Sequence, residues 1–215
     1  MAAWETIASL ATAAGTLVLA VATFASVRSS NQSARTAERA ARTAERSLLA
    51  SQRPLLVNSR AQDPEQKIEF SESKTIHVPG GQAVIDVSGR GILMALSVRN
   101  VGTGLAVMHG WHVTATWPEG RVHPLLEDFT DQVRDIYVAP GDTGFWQLAL
   151  RDSAVPSYKT ISAAVADKQI LILSLLYGDF EGGQRVITQF VMRPATDDWQ
   201  LVVARHFNID QADPR

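Results

Sequence analysis

The N-terminal part of the chain begins with a long uncharged stretch. No charged residue lies between Glu5 and Arg28, and residues 6–27 are mostly apolar or small. About 22 helical residues span roughly 33 Å, enough to cross the hydrocarbon core of a bilayer. The basic region of a cleaved signal peptide is lacking, so residues 1–28 are predicted to be an uncleaved transmembrane anchor. A buried soluble helix is the alternative, because the stretch is rich in Ala and Thr.

Residues 29–53 carry a second helical pattern, a near-repeat of seven residues made of helix formers. The helix should end at Arg53, because a residue before proline is disfavoured in the helical region. At 100° per residue, one arc of about 60° holds all six arginines of this part: Arg28, Arg35, Arg39, Arg42, Arg46 and Arg53. The opposite face carries small and apolar residues at alternating spacings of three and four: Ala34, Ala37, Ala41, Ala44, Leu48 and Ser51. A helical stalk with two distinct faces is therefore predicted.

Each face of the stalk has two interpretations. The arginine face is either a solvated surface or a docking strip for an acidic partner, with Arg35, Arg39, Arg42 and Arg46 as candidate partner-binding residues. The alanine face either stays unpaired or joins helices in a tight coiled coil. The anchor also contains a small-xxx-small pair that would let helices approach closely. The candidate oligomerisation residues are Ala11, Gly15, Ala37, Ala41, Ala44 and Leu48.

The charges that flank the anchor predict its orientation. Glu5 lies on the short N-terminal side, whereas the arginines follow the apolar stretch. Positive charge favours the cytoplasmic side. We therefore expect a single-pass protein of the inner (plasma) membrane, with its N-terminus outside and residues 54–215 in the cytoplasm.

Beyond Pro54 the pattern changes from helical to extended. Runs with strand character lie at residues 75–78, 83–87, 91–100, 105–117, 170–176, 186–192 and 200–205, separated by Gly-rich turns. The runs at 92–98 and 170–176 are almost continuously apolar, which is typical of strands buried on both faces. Residues 153–168 and 125–134 are the helical candidates. The sequence predicts a mainly β fold, an antiparallel Ig-like β-sandwich over residues 54–209 with a tail at 210–215.

Composition excludes several classes of function. The chain has no Cys, so a disulfide framework, a thiolate metal site and a Cys nucleophile are ruled out. A net charge of -2, with no basic residues interleaved among the tryptophans, predicts no nucleic-acid partner. The basic first 53 residues and the more acidic remainder instead suggest a membrane or protein partner.

Three motifs resemble catalytic or metal sites. Asp142-Thr143-Gly144 matches the aspartic-protease tripeptide, but it follows Pro-Gly and occurs once, so we interpret it as a turn. His109 and His112 would point to opposite faces of a strand unless a bulge intervened. Asp179 and Glu181 could form an acid/base pair, although two carboxylates in a hairpin loop are usually surface residues. From these patterns we predict no catalytic residues, no metal and no cofactor.

Several segments together carry a family resemblance. They are Asn100-Val-Gly-Thr-Gly-Leu-Ala106, the segment from Glu45 to Leu56, Asp135-Ile-Tyr-Val-Ala-Pro-Gly141, the segment from Tyr177 to Arg185 (YGDFEGGQR) and Arg205-His-Phe-Asn208. In these the chain resembles a group of uncharacterised, chiefly actinobacterial, membrane-anchored β-sandwich proteins. The resemblance implies a bacterial membrane setting and the architecture above, but no activity.

The sequence thus favours a non-catalytic, membrane-tethered binding or assembly module, in contact with the bilayer and with a protein partner or further copies of itself. Two alternatives stay open. One is a membrane-anchored hydrolase whose site is assembled from dispersed residues, and the other is a structural subunit of a larger membrane complex.

Overall fold

The computed structural model describes residues 2–71, 74–89, 91–196 and 198–210, apart from the side chains of residues 2–6, 8, 9, 11, 12 and 50. The chain divides into two compact units, residues 1–48 and residues 49–215.

Helix α1 (Ala2–Ser51) is a single helix of 50 residues whose last turn belongs to the second unit. All side chains from residue 13 to residue 48 are exposed. They include Leu17 and Phe24, each 68% exposed, and Leu19, which is 69% exposed. Within the described residues, one helical segment, Ala13–Leu49, is long and apolar enough to cross a membrane by length and composition. The prediction of a long apolar N-terminal helix is confirmed.

The described part of the second unit contains twelve strands, helix α2 (Pro156–Ala166) and a 3-10 turn at Leu126–Asp128. The strands are β1 (Leu56–Asn58), β2 (Gln66–Phe70), β3 (Lys74–Val78), β4 (Gln82–Ser88), β5 (Gly91–Asn100), β6 (Ala106–Thr114), β7 (Thr130–Asp131), β8 (Tyr137–Val138), β9 (Thr143–Leu150), β10 (Leu171–Gly178), β11 (Val186–Pro194) and β12 (Trp199–Asn208).

Ten of these described strands form one antiparallel sheet in the order β1-β5-β4-β12-β11-β10-β6-β7. Strand β8 pairs with β6, β9 pairs with β5, and β2 and β3 form a separate hairpin. The sheet is curled, and β12 and β4 pair in it through two residue pairs, Trp199 with Ala83 and Gln200 with Gln82, in the described residues. The mainly β, antiparallel prediction is confirmed, while the division into an Ig-like sandwich stays a prediction.

The main core lies on the inner face of the curled sheet. Trp111 of β6 and Trp146 of β9 meet edge to face there, with ring centroids 6.2 Å apart and an interplanar angle of 65°. Ile161 and Ala164 of α2 are buried in the same core. Such an aromatic pair contributes about 0.5–1.5 kcal/mol beyond the area it buries.

The hairpin formed by β2 and β3 explains the continuous apolar run of β5. Ile68 and Ile76 of the hairpin pack with Leu93 and Ala95 in a second core cluster, while the alternate side chains of β5 lie in the main core. Strand β5 is therefore buried on both faces, as its sequence predicts.

The helix predicted at residues 125–134 is wrong. Apart from the 3-10 turn, this segment contains no helix, and Thr130 and Asp131 pair with Trp111 and Gly110 at the edge of β6. Strand pairing supplies the backbone with hydrogen bonds that a short exposed helix would have to make alone, without a buried face to stabilise it.

Candidate functional site

The four arginines predicted to bind a partner lie on α1, and each side chain is exposed. Arg42 Nη2 is 2.5 Å from Glu38 Oε1, and this ion pair is 68% and 61% exposed. An exposed i,i+4 pair contributes about 0.3–0.5 kcal/mol. Among the described residues, Arg35, Arg39 and Arg46 have no carboxylate within ion-pair distance. The strip therefore presents most of its positive charge to its surroundings.

The predicted oligomerisation residues also lie on α1. Ala37, Ala41, Ala44 and Leu48 are exposed, and a Cβ built on Gly15 would meet nothing within 4 Å. The side chain of Ala11 lies outside the described residues. Both faces of the helix are thus open along the described part.

The densest group of polar contacts lies where the chain leaves α1, at residues 49–56, and we call this segment with its partners the junction. Asn100, which is fully buried, makes four side-chain hydrogen bonds there. Its Oδ1 accepts from the N–H groups of Leu55 (3.1 Å) and Gly102 (3.0 Å). Its Nδ2 donates to the carbonyls of Gly104 (2.7 Å) and Val138 (3.0 Å). One amide thus satisfies four backbone groups.

Two glycines let the turn after β5 contact the junction backbone directly. A Cβ on Gly104 would overlap the carbonyl of Gln52, and a Cβ on Gly102 would overlap the carbonyl of Arg53. The N–H of Thr103 donates to that Arg53 carbonyl at 3.1 Å. The Asn-x-Gly-x-Gly spacing is therefore explained by backbone approach, because every residue with a Cβ would push the two segments apart.

The loop between β10 and β11 binds the other side of the junction. Gln184, which is 6% exposed, donates from Nε2 to the carbonyl of Leu49, one of the last carbonyls of α1. A Cβ on Gly183 would lie 4.0 Å from Leu49 Cδ2. The final carbonyls of a helix have no partner within the helix, so Gln184 caps α1 from a distant part of the sequence.

A chain of buried hydroxyls completes the junction. The N–H of Leu56 donates to the Tyr177 hydroxyl at 3.0 Å, and that hydroxyl is 2.7 Å from Thr188 Oγ1. Thr188 Oγ1 is 2.8 Å from His206 Nδ1. Burial raises the pKa of Tyr177 to about 12, against the hydrogen bonds from Thr188 and the Leu56 backbone, which lower it. The phenol is therefore protonated at neutral pH, and its hydroxyl links Leu56 to Thr188 by hydrogen bonds.

Several segments that are far apart in the sequence thus meet at the junction. The structure brings together the end of α1, the Asn100 turn, the carbonyl of Val138, Tyr177 and Gln184, and His206. Local patterns could not reveal this, because the contacts join residues that are distant in sequence. The side chains of the junction bind backbone groups and one another by hydrogen bonds, so the role of the arrangement is to fix the backbone in place.

The acid/base pair considered from the sequence does not form a matched pair in the structure. Asp179 is 3% exposed, and its Oδ1 accepts from the N–H of Gly183 at 2.7 Å, which closes the β10–β11 loop. Glu181 is exposed to solvent. The two carboxylates therefore have different environments, and Asp179 acts on the loop backbone.

The two histidines of β6 are separated by a bulge. Gly110 pairs with Leu176 and Met108 pairs with Tyr177, which leaves His109 as the extra residue. Burial lowers the pKa of His109, an effect that Arg185 reinforces and that Asp179 and Asp135 oppose. Burial also lowers the pKa of His112, against the attraction of Asp128. Among the described residues, no group of three or more His, Asp or Glu side chains could hold a metal ion.

The remaining features are a turn and a groove. Asp142-Thr143-Gly144 leads from β8 into β9, with the N–H of Asp142 donating to the Ala139 carbonyl at 3.1 Å, so the predicted turn is observed. A groove of about 780 Å³ lies between the end of β1 and the β11–β12 turn, lined by Ser59, Gly80, Gly81, Thr196, Gln200 and others. Its lining is mostly uncharged, and Arg60 and Asp198 are its charged members.

No family model, curated protein or solved structure matches this chain.

Proposed function

We propose that the protein is a single-pass, membrane-tethered binding or assembly module that carries out no catalysis. Residues 1–28 form the anchor, residues 29–53 the stalk and residues 54–209 the β domain. The observation that carries the proposal is the exposure of every side chain from residue 13 to residue 48. A helix this long, apolar in one half and arginine-lined in the other, needs surroundings that match each half.

The apolar half is matched by a bilayer. Six large apolar side chains between Leu17 and Val27 are 53% to 69% exposed. Removing one such side chain from water stabilises by about 1.5–3 kcal/mol, so six contribute on the order of 10 kcal/mol when lipid surrounds them. A soluble helix with this surface would aggregate or insert.

Orientation follows from the arginines, and we propose that the β domain lies in the cytoplasm with the N-terminus outside. The test is a reporter joined after Arg215, scored for activity on each side of the inner membrane. Reporter activity restricted to the cytoplasm is expected, because arginines near the end of a span retain that side. Activity outside the cell would contradict both topology and compartment.

The arginine half is matched by an acidic partner surface. If the helix continues straight from the membrane, Arg46 is 18 residues beyond Arg28, roughly 27 Å along the axis. The Debye length is about 8 Å at physiological ionic strength, so lipid headgroups would attract Arg28 far more than Arg46. A protein partner therefore accounts better for the strip than the membrane surface.

The partner proposal is tested by reversing charge on the strip. Glu at positions 35, 39, 42 and 46 should abolish co-purification of partners from gently extracted membranes while the β domain keeps its unfolding midpoint. The control keeps the arginines and places the same four new Glu residues at Ser29, Gln32, Thr36 and Thr43, so that it tests the effect of added carboxylates alone. Equal recovery of partners with the reversed strip would show that the arginines are a solvated surface.

Self-association along the alanine face is the second part of the proposal. Ala37→Glu with Ala44→Glu should lower the oligomer mass of the full chain in nanodiscs, because a buried charge opposes close helix packing. The control is Thr36→Glu with Thr43→Glu, which adds the same charge on another face. A monomeric wild-type chain would contradict self-association but not membrane tethering. A complex that contains other subunits would favour the structural-subunit alternative.

For the β domain, we propose that the curled sheet has the architecture of an Ig-like sandwich, as the resemblance to membrane-anchored β-sandwich proteins implies. In support, two pairs of residues join β4 to β12, so the halves on either side can act as facing layers. Such sandwiches commonly present binding loops on a rigid scaffold.

A further inference from the structure

The groove between the end of β1 and the β11–β12 turn has the size of a ligand-binding site. Its volume of about 780 Å³ lies within the range of about 300–1,000 Å³ that is usual for small-molecule sites. The end of β1, the β3–β4 turn, the β11–β12 turn and the start of β12 line it. All of these belong to one compact unit, so the groove has fixed walls and room for a short peptide.

The two charged residues of the lining have no charged partner of their own. Arg60 is exposed and Asp198 is half-buried. Among the described residues neither side chain has an ion pair, and the two do not pair with each other. The contact of Arg60 with Asp63 Oδ2, at 2.8 Å, is made by the backbone N–H and leaves the guanidinium available. One groove thus offers a cation and an anion that are both available to a ligand.

The groove also offers groups that complement a peptide bond. Gln82 and Gln200 pair directly across β4 and β12, and both line the groove. The Leu201 N–H donates to the Gly81 carbonyl at 3.1 Å. The Gly81 N–H donates to Ser59 Oγ at 2.9 Å and does not return a bond to Leu201. The lining therefore combines two side-chain amides with a backbone carbonyl that lacks the second bond of an antiparallel pair.

The rest of the lining is small and aliphatic. Ala61, Ala195 and Val202 contribute methyl groups, and Gly80 and Gly81 have no side chain. Val202 is 37% exposed, so its methyl groups are accessible from the groove. Walls of this kind accept small aliphatic side chains and supply no further charge for a charged one.

We propose that this groove binds a short peptide with free termini and small, uncharged side chains. Arg60 holds the terminal carboxylate, because a guanidinium matches a carboxylate in charge and in geometry. Asp198 holds the terminal ammonium, and the amides of Gln82 and Gln200 bind the peptide bond. The site is independent of the membrane tether and of the arginine strip, so its failure would leave the proposed function as it stands.

The test uses the full chain in nanodiscs, with the dipeptide alanyl-valine as the probe and its binding followed by ligand-detected NMR. A dissociation constant on the order of 1 mM is expected for a ligand of this size. Amidation of the carboxylate and acetylation of the amine each remove one charge from the probe. Each should weaken binding about fivefold, the factor that corresponds to an accessible ion pair of about 1 kcal/mol.

Two variants assign each charge of the probe to its partner. Arg60→Gln should bind the dipeptide and its amide equally, while it still prefers the free amine over the acetylated form. Asp198→Asn should show the opposite pattern, because it keeps the cation and loses the anion. This crossed pattern identifies direct pairs, since a general weakening of the site would lower the binding of all forms alike.

The matched controls remove the same charges outside the groove. Lys159→Gln and Asp142→Asn change exposed residues that do not line it, and both should keep the wild-type preferences. No binding of the dipeptide at about 10 mM, or equal binding of the free and capped forms by the wild-type chain, would overturn the proposal. Binding that requires the carboxylate but not the amine would also overturn it, in favour of the C-terminal segment of a larger protein.

Discussion

Replacing Asn100 by Asp changes a single heavy atom and should strongly lower the stability of the β domain. The two side chains have the same shape, and Asp keeps the oxygen that accepts from Leu55 and Gly102. What is lost is the NH2 group, which donates to the carbonyls of Gly104 and Val138. In its place the variant puts a second oxygen against two carbonyl oxygens in a fully buried position.

The size of the effect follows from those two carbonyls. Each buried acceptor left without a donor costs about 1–3 kcal/mol, and a buried carboxylate without a cation adds to this. We expect a loss of about 3–5 kcal/mol in the free energy of unfolding, a large share of the 5–15 kcal/mol of an ordinary domain. The buried Trp111 and Trp146 report directly on that transition.

The measurement is urea unfolding of the full chain in micelles, followed by tryptophan fluorescence and analysed with a common slope. The control is Asn58→Asp, because half-buried Asn58 has one side-chain bond, from Nδ2 to the Ser59 carbonyl at 3.2 Å. It should lose about 1 kcal/mol or less. If the two variants proved equally stable, the junction would not hold the domain in the way that its geometry indicates.

Three further predictions concern the same unit. Gly104→Ala should cost about 3 kcal/mol or more, because its Cβ would overlap the Gln52 carbonyl, whereas Gly89→Ala, with open space around it, should be neutral in the same unfolding assay. In the folded protein the pKa of Tyr177, about 12, lies above the ordinary tyrosine value of about 10. Its contribution, on the order of 3 kcal/mol, is therefore complete below pH 10 and lost as pH rises towards 12. Tyr177→Phe should flatten that part of the stability profile, and an unchanged slope would refute the assignment. Ser174→Ala should be as stable as the wild-type chain or more so, because the Ser174 hydroxyl has no hydrogen-bond partner among the described residues. Ser97→Ala should lose about 1 kcal/mol, because it removes the hydrogen bond with Ser59. The reverse order of stability in thermal unfolding would contradict both assignments.

Local pattern was enough to predict the elements whose burial is continuous. The charge-free stretch and the near-repeat predict a helix, and α1 runs through both. The apolar runs that become β5 and β10 predict strands buried on both faces, which the β2–β3 hairpin explains for β5. Strands β7 and β8, of two residues each, escaped prediction because their pairing with β6 depends on the position of that strand and not on their own composition.

The junction was out of reach for a different reason. Tyr177 is 121 residues from Leu56, and Gln184 is 135 residues from Leu49. The sequence shows that the turn after β5 contains glycines. It does not show that these glycines contact the backbone at the end of α1, which is far away in the sequence.

The junction also determines where the protein can be divided. By sequence, Pro54 marks the start of the β domain, and a fragment beginning there would seem complete. Yet Gln52 and Arg53 fit against Gly104 and Gly102, and the Leu49 carbonyl receives the amide of Gln184. The last turn of the helix is thus a component of the domain that it precedes. A fragment that retains Leu49 keeps these contacts. A fragment that begins at Pro54 loses them, so its lower stability would come from the missing junction and not from the missing membrane.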